Sequence, residues 1–242
     1  MKFIDKVVRD EEIASFITAS GEALKAMQYT EHGKRHASYV SSTAGRILRE
    51  LGYGEQDIDL ARVAGYVHDI GNSINRRDHG VTSATLAYPI LKRLGMDTES
   101  ALKVITAIGN HEEEIGSIVS DITAALVIAD KADAHRTRVL RDKFDPDDIH
   151  DRVNFSIRKS FVRVDKVNKV IESKIYMDSS SSVMDYLKIY LKRIVMSEKA
   201  AHYLGCEFSL MINDVRINSP KKITKTKLKQ IIEEIDKTEQ TE

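Results

Sequence analysis

Residues 67 to 71 read Val67-His68-Asp69-Ile70-Gly71 and close a segment whose apolar residues recur at helical spacing from about Asp57 onward. We predict a helix from about Asp57 to His68, because the pair Gly71-Asn72 is typical of a helix end. Where the backbone leaves the helix, the neighbouring side chains of His68 and Asp69 can be directed toward one ion. Burying two such polar groups is costly unless a cation or hydrogen bonds compensate. The segment therefore predicts a helical unit built around a polar site.

Helical spacing extends on both sides of this segment, up to about residue 140, and no stretch there alternates as a strand would. Gly52 is placed to end the preceding helix in a left-handed cap. Pro89 is expected to bend the following helix, because its ring disturbs the preceding turn and it lacks an N–H donor. The helices predicted in this all-α part span about residues 13–27, 36–51, 57–68, 78–95, 98–111 and 120–133.

The pattern changes after Asp142–Asp151, an acidic segment with a proline that is typical of a linker. Val153, Phe155 and Ile157 alternate as in a strand, and residues 161–164 and 167–177 are rich in β-branched side chains. We therefore predict a hairpin that turns near Asp165-Lys166.

The remaining sequence predicts one more helix and one more strand pair. Ser179–Ser182 can cap a helix from Val183 to Tyr203 that Gly205 closes. Strands are predicted at 207–212 and 215–217, and an amphipathic helix or a frayed tail at 221–242. The expected fold class is mainly α, an all-α bundle with a smaller C-terminal α+β domain. The predicted units are residues 1–143, 152–220 and 221–242.

Composition limits the classes of protein that this chain can belong to. With 242 residues, 42% hydrophobic and 31% charged, it resembles an ordinary globular protein. Its longest apolar stretch, Ile122–Ala129, is far shorter than the roughly 20 residues of a bilayer span. Asp5 stands where a secretory signal would be apolar, and Cys206 is the single cysteine. We expect a cytoplasmic protein without a membrane partner and without a thiolate-rich zinc site.

The formal charge is zero, with 37 basic and 37 acidic residues, but the charges are unevenly distributed along the chain. Basic residues outnumber acidic ones only in the C-terminal part. A lysine-rich solvated surface explains this better than a nucleic-acid partner does, although an anionic partner is the alternative.

Two further polar residues stand on helical stripes that are otherwise apolar. His36 shares its face with Val40 and Ala44, and Asp130 follows Leu126 at four-residue spacing. Both side chains should therefore point into the helical bundle. Neutral imidazoles and carboxylates are the ligands that suit Mn, Fe, Co, Ni or Zn in a protein without thiolates.

The sequence resembles the HD superfamily of metal-dependent phosphohydrolases in three segments. These are His36-Ala-Ser-Tyr-Val40, Val67-His-Asp-Ile-Gly71 and Ile128-Ala-Asp-Lys-Ala-Asp133. The resemblance implies an all-α domain whose His36, His68, Asp69 and Asp130 bind a divalent metal. It also implies that a water activated by the metal attacks phosphorus. Asp133, one turn after Asp130, is the alternative for the last ligand.

Two more histidines, His79 and His111, occupy the places that members of the superfamily with two metals use. The resemblance then implies two ions, drawn from Mn, Fe, Co, Ni, Mg or Zn, with the catalytic Asp69 bridging them. A mononuclear site with these histidines on the substrate is the alternative. The pattern is most similar to the subgroup of bacterial diadenosine tetraphosphate hydrolases, which has an arginine at the position of Arg136.

Phosphate oxygens need cationic partners besides a metal. Arg136 is the first candidate, as a catalytic residue, and Arg76 and Arg77 follow, with solvated loop charges as their alternative interpretation. Glu112 and Glu113 are expected to be ordinary exposed residues at a helix end. The histidines expected at the surface are His32, His135, His150 and His202.

We expect hydrolysis of a phosphomonoester or phosphoanhydride bond in a nucleotide or a similar small anion. The same six residues suit a di-iron oxygenase of the HD type, which is one alternative. A regulatory module that senses a nucleotide is another. The C-terminal unit could cover the active site, pair strands between subunits or contact nucleic acid. Exposed strand edges in its small sheet favour pairing between subunits, so we expect a homodimer.

Overall fold

The computed structural model describes residues 2–27, 29–139 and 144–218. Its N-terminal part is helical, as the spacing of the apolar residues predicts. The helices of this part are α1 (Phe3–Arg9), α2 (Glu11–Ala26), α3 (Lys34–Leu51), α4 (Glu55–Val67), α5 (His79–Arg93), α6 (Thr98–Gly109) and α7 (Asp121–Lys131). Short 3-10 turns follow α4 and α7, at Ile70–Ser73 and Arg136–Arg138.

Local capping residues set several helix ends. Asp10, Asp97 and Ser120 each accept a backbone hydrogen bond from the first turn of α2, α6 and α7. Gly52 ends α3 with a φ of +90°, which confirms the predicted left-handed cap. Pro89 lies inside α5, and the helix continues through it to Arg93.

The C-terminal part combines two helices with a small sheet. Its elements are α8 (Ile149–Ser156), β1 (Ile157–Asp165), β2 (Val170–Met177), α9 (Val183–Tyr203), β3 (Glu207–Ile212) and β4 (Val215–Arg216). The strand order within the described residues is β1-β2-β3-β4. β1 and β2 form an antiparallel hairpin, whereas β2 and β3 are parallel and α9 connects them. The mainly helical class with a small C-terminal α+β part is confirmed.

The prediction of a strand over Val153 to Ile157 was wrong, because most of this segment is helix α8. The side chain of Asp148 accepts a hydrogen bond from the backbone N–H of His150 and caps that helix. Val153 is buried while Phe155 stays exposed, whereas a strand would place both side chains on the same face. The strand begins only at Ile157.

Helix α7 forms the centre of the core. All its residues from Ile122 to Lys131 are buried, and it packs against α3 and α4 on one side and α9 on the other. Gly65 lets α4 approach α3, because a Cβ there would lie 2.8 Å from the backbone of Ser41. The buried apolar residues of the helical part and of the sheet belong to one cluster. The C-terminal elements therefore cover a face of α7 that would otherwise meet water.

Two of the sequence predictions fall partly or wholly outside the described residues. The tail at 221–242 does, and so does the start of the predicted linker at residues 142 and 143. The division into units at 143 and 152 stays a prediction. Among the described helices, none combines the length and the apolar character that a bilayer crossing requires.

Candidate metal centre

The ends of five helices bring the six predicted metal ligands together. His36 lies in the first turn of α3, and His68 and Asp69 directly follow α4. His79 begins α5, His111 follows α6, and Asp130 lies at the end of α7. All six side chains are buried, although they come from positions up to 94 residues apart (130 − 36). These residues are His36, His68, Asp69, His79, His111 and Asp130.

Four of these side chains form a first group of donor atoms. The Nε2 atoms of His36 and His68 lie 3.3 Å apart. Oδ1 of Asp130 lies 3.3 Å from the former and 3.7 Å from the latter. Oδ2 of Asp69 lies 3.5 Å and 3.4 Å from the same two nitrogens. Two imidazoles and two carboxylates thus converge on one small space.

Asp69 also belongs to a second group, through its other oxygen. Oδ1 of Asp69 lies 3.1 Å from Nε2 of His79 and 3.8 Å from Nε2 of His111. One carboxylate therefore faces two sets of imidazoles with separate oxygens. This is the arrangement expected of a carboxylate that bridges two ions.

The far side of each imidazole is held by a hydrogen-bond acceptor. Nδ1 of His68 lies 3.0 Å from the carbonyl oxygen of Gly65, and Nδ1 of His111 lies 2.7 Å from that of Ile108. Nδ1 of His79 lies 3.0 Å from the carbonyl oxygen of Arg76. A carbonyl oxygen can only accept, so Nδ1 carries a proton, and in a neutral ring the lone pair lies on Nε2.

The donor set fits a cation. The Nε2 lone pairs of His36 and His68 face each other, and two carboxylates lie within 4 Å of them. These groups repel one another unless positive charge lies between them. The ligand types, imidazole and carboxylate without thiolate, suit Mn, Fe, Co, Ni or Zn. Burial raises the pKa of Asp69 and Asp130. For Asp69, His68 and the hydrogen bond to His79 together outweigh burial, and for Asp130, Lys131 and the hydrogen bonds to His36 and His68 do so, which holds both pKa values well below the ordinary range. Both carboxylates are therefore ionised and ready to bind an ion.

Two histidines of the second group have opposite shifts. Burial lowers the pKa of His111 to about 3, so this imidazole is neutral. Burial also acts to lower the pKa of His79, but its hydrogen bonds to Asp69 and Glu112 outweigh this and raise it to about 9. A cation that binds Nε2 of His79 must therefore displace a proton.

Residues 34–137 match the family model of the HD domain, and this match includes all six predicted ligands. The chain contains an HD domain. The HD domain characterises a superfamily of metal-dependent phosphohydrolases, and the buried His and Asp cluster fits metal binding. Helices α8 and α9 lie outside the matched residues.

Several curated proteins are similar to this chain. It is 27% identical to an uncharacterized protein of Methanocaldococcus jannaschii over 156 residues, which are 55% of this chain and 60% of that protein. It is 36% identical to ribonuclease Y of Oceanobacillus iheyensis over 99 residues, 40% of this chain and 18% of that protein. Ribonuclease Y of Deinococcus radiodurans is 32% identical over 115 residues, 47% of this chain and 18% of that protein. The chain thus spans less than two thirds of each relative.

Asp133, the alternative ligand, lies behind His36 in the HD domain. Its Oδ2 accepts a hydrogen bond from Nδ1 of His36 at 2.7 Å, and both its oxygens accept from Arg35. The geometry therefore favours Asp130 as the residue that faces the donor groups, and it gives Asp133 the role of holding the His36 ring.

The expectation that His32 lies at the surface was wrong, because its side chain is only 6% exposed. Nη2 of Arg138 lies 2.7 Å from Nε2 of His32, and the ring of His32 lies edge-on to that of His36. His150 and His202 are exposed as predicted, and His135 is half-buried, with Nε2 2.8 Å from the carbonyl oxygen of Arg158. The buried Arg138, which the sequence did not suggest, fixes His32 beside the centre.

Glu112 and Glu113 were expected to be solvated, but both are largely buried. Glu112 accepts a hydrogen bond from the backbone N–H of Gly80 at 2.6 Å and lies 3.1 Å from Nδ1 of His79. Glu113 lies 3.0 Å from Nζ of Lys131, whose ammonium also donates to Asp130 at 2.7 Å. Glu112 therefore holds the His79 ring, and Glu113 holds the Lys131 ammonium that pairs with Asp130.

The three arginines predicted for phosphate have different surroundings. Nη1 of Arg76 lies 3.1 Å from Nε2 of His79, directly at the second group. Arg77 has a side chain that is 91% exposed and lies near Asp78 alone among the described acidic residues. Arg136 donates to Asp178 at 2.7 Å and stacks over the ring of Phe155. Arg136 would have to leave Asp178 to reach a substrate, so its catalytic role stays a prediction.

A cavity of about 290 Å³ lies beside the centre, and we call it the entrance cavity. Tyr29, His32 and Arg76 line it from the loops of the helical part. Asn154 of α8 and Tyr190 and Arg193 of α9 belong to its other wall. The C-terminal helices therefore form one wall of a cavity beside the HD site.

Proposed function

We propose that the HD domain of this protein hydrolyses a phosphomonoester or phosphoanhydride bond of a small molecule, and that this molecule is a nucleotide. The observation that carries the proposal is the buried convergence of four Nε2 atoms on the carboxylates of Asp69 and Asp130. Such a donor set has little use without cations, and the superfamily of the domain uses them to cleave phosphate bonds.

We further propose that two ions bind, because the two oxygens of Asp69 face separate groups of imidazoles. His36, His68 and Asp130 would hold one ion with Asp69, and His79 and His111 would hold the other. Mn, Fe, Co, Ni, Mg and Zn are the candidates. Bound ions would lower the pKa of water and neutralise the charge that develops on the phosphoryl oxygens.

The protein's own residues orient the reactants. Acceptors on Nδ1 fix each imidazole, and the Lys131 ammonium balances the charge of Asp130. Arg76 is the predicted arginine that lies at the centre and can donate to phosphoryl oxygens. In the reaction a water oxygen bonds to phosphorus, the bond from phosphorus to the leaving oxygen breaks, and the water proton ends on the leaving group.

The entrance cavity supports a substrate of nucleotide size. Its volume of about 290 Å³ is close to the lower end, roughly 300 Å³, of small-ligand sites. The ring of Tyr29, which is 47% exposed, lines it and offers a surface on which a base can stack. The narrower resemblance to diadenosine tetraphosphate hydrolases makes dinucleoside polyphosphates part of this proposal.

RNA is the second candidate substrate, because two of the similar proteins are named ribonuclease Y. The match covers only 18% of each of those proteins, so the surroundings of the bond that they cleave need not be shared. A polymer would require a path past α8 and α9, whereas a small molecule requires only the cavity.

A substrate screen tests the proposal. Purified protein loaded with Mn²⁺ or another candidate metal is incubated with mononucleotides, dinucleoside polyphosphates, sugar phosphates and a single-stranded RNA oligonucleotide. We expect release of phosphate or a nucleotide product, and its loss in Asp69→Asn with an unchanged circular dichroism spectrum. Asp121→Asn is the matched control, since Asp121 binds Tyr53 away from the centre. Activity that survives Asp69→Asn would refute the assignment.

Metal analysis, an O₂ reaction and a nucleotide-binding measurement on the same protein separate the remaining alternatives. Two irons for each chain that react with O₂, together with no hydrolysis, would identify an oxygenase. Nucleotide binding without turnover would identify a sensor.

We also propose a homodimer, because β1 lies at one edge of the sheet and an edge strand can pair with that of a second copy. Light scattering of the full chain measures the molar mass and so tests the dimer. We further propose a cytoplasmic location, which agrees with a single buried cysteine that forms no disulfide within the chain.

A further inference from the structure

We infer that Arg193 of helix α9, outside the HD match, binds the phosphoryl group of the substrate, so that the C-terminal part completes the active site. The inference rests on the proposed function and adds a specificity-determining residue to it. It starts from the surroundings of this guanidinium group, which differ from those of an ordinary structural arginine.

Arg193 is held by one nitrogen and leaves the others unused. Its Nε lies 3.2 Å from Oε1 of Glu113, and its guanidinium lies over the ring of Tyr190 at 5.3 Å. No described residue accepts a hydrogen bond from its terminal nitrogens, although the side chain is only 23% exposed. A guanidinium carries five N–H donors, so most of this fork is available to a ligand. Arg193 lines the entrance cavity, where such a ligand would arrive.

The guanidinium of Arg193 does not have a carboxylate oxygen to itself. Nζ of Lys131 lies 3.0 Å from Oε1 of Glu113, the same oxygen that faces Arg193. Two cations therefore share one carboxylate, and Lys131 also contacts the ligand Asp130. Once Asp130 binds a metal, its charge is committed to that ion. A partly buried cation without a full partner is costly, and an incoming anion removes this cost.

Two arginines then line the entrance cavity from different parts of the chain. Arg76 belongs to the loop before α5, and Arg193 belongs to α9. Planar guanidinium groups match the oxygens of a phosphoryl group in pairs of parallel hydrogen bonds. The apolar and aromatic side chains Met27, Tyr29 and Ile189 line the same cavity. The ligand class is therefore a phosphate ester or anhydride with an organic group that packs against rings.

The test uses the full chain and inorganic phosphate as the probe. Binding of phosphate to the metal-loaded protein is measured by calorimetry for the wild type, Arg193→Gln and Arg193→Lys. Glutamine keeps an N–H donor that can reach Glu113, so a hydrogen bond replaces the ion pair between Arg193 and Glu113. The terminal guanidinium nitrogens, which are proposed to bind phosphate, are lost. Lys192→Gln is the matched control, because the Lys192 side chain is 78% exposed and pairs with Glu114. Metal content and unfolding temperature are recorded for every variant.

We expect Arg193→Gln to weaken phosphate binding at least about tenfold, as for the loss of a charge-assisted hydrogen-bonded pair. Arg193→Lys should recover only part of the loss, because an ammonium lacks the fork. Lys192→Gln should match the wild type, and metal content should stay constant in all variants. Phosphate affinity of Arg193→Gln within twofold of the wild type would overturn the inference, and so would a wild type that binds no phosphate.

The outcome is independent of the test of the proposed function. Wild-type hydrolysis with unchanged phosphate binding in Arg193→Gln would remove Arg193 from the site and leave the hydrolase standing. Phosphate binding that depends on Arg193, in a protein that hydrolyses none of the candidate substrates, would support the anion site and refute the hydrolase. A lower unfolding temperature with unchanged phosphate affinity would make Arg193 a structural partner of Glu113 only, which also overturns the inference.

Discussion

Asp133→Asn tests whether the HD site depends on a residue that does not itself face the metal donors. Asp133 accepts from Nδ1 of His36 at 2.7 Å and from Arg35 at 3.1 and 2.8 Å. Burial acts to raise the pKa of Asp133, but Arg138 and then His36 outweigh it and hold this pKa far below its usual range. The carboxylate is therefore ionised, and its charge increases the basicity of Nε2 of His36.

The size of the effect follows from what the amide keeps and what it loses. An asparagine oxygen can still accept from Nδ1 of His36, so the ring keeps its tautomer and orientation. The negative charge behind the ring disappears, and a change of this kind lowers metal affinity by about 10- to 100-fold. This corresponds to about 1.4 to 2.7 kcal/mol of binding free energy. Arg35 and Arg138 also lose a charged partner, which should lower the free energy of unfolding by about 1 to 3 kcal/mol.

The assay is a competition titration of Mn²⁺ or Zn²⁺ against a chelator, with the unfolding temperature measured in parallel. Asp121→Asn is the control, because Asp121 accepts from Tyr53 and contacts none of the six predicted ligands. Metal affinity of Asp133→Asn within twofold of the wild type would refute the reasoning. A complete loss of bound metal would instead identify Asp133 as a ligand and displace Asp130 from the predicted set.

Three further predictions follow from the fold and the site. Gly65→Ala should lower the free energy of unfolding by about 1 to 3 kcal/mol, because a Cβ would lie 2.8 Å from the backbone of Ser41. Gly54→Ala is the control and should change this free energy little, because the space around Gly54 is open. Denaturant titration measures both variants. Removing metal with a chelator should lower the unfolding temperature, since an ion at 100 times its Kd stabilises the fold by about 2.7 kcal/mol. An unchanged unfolding temperature, in a sample shown to have lost its metal, would contradict metal binding by the folded protein. Hydrogen bonds from Ser180, and then Arg136 and Arg158, lower the pKa of Asp178, so its stabilisation is present above about pH 4 and is lost as the pH falls through the depressed value. Asp178→Asn should therefore unfold at a lower temperature than the wild type at pH 7, and this difference should shrink below about pH 4; a constant difference would count against the pairing.

The sequence predicted the helices well because they depend on short-range patterns. Asp97 and Ser120 cap α6 and α7, where the sequence placed helix starts, and Gly52 ends α3. The polar residues that interrupt apolar stripes, His36 and Asp130, are buried as the helical period requires.

The errors concern contacts between distant parts of the chain and one short ambiguous segment. In the sequence Glu113 cannot be distinguished from an ordinary glutamate at a helix end. Its burial depends on contacts with Lys131 and with Arg193, which lies 80 residues further on (193 − 113). Arg138 is similarly 106 residues from His32, to which it donates. The alternation around Val153 fits a helix as well as a strand over so few residues.

The complete burial of α7 has a consequence for the cooperativity of unfolding. This helix carries Asp130 at its end and is enclosed by α3, α4 and α9. If α9 detached, apolar residues such as Leu126 would meet water, and each would lose about 1.5 to 3 kcal/mol of burial. Opening of the C-terminal part would therefore be coupled to the release of an ion held by Asp130, and the backbone amides of α7 should be among the slowest to exchange with deuterium. A metal held by Asp130 at the end of α7 would thus also protect the amides in the rest of this helix.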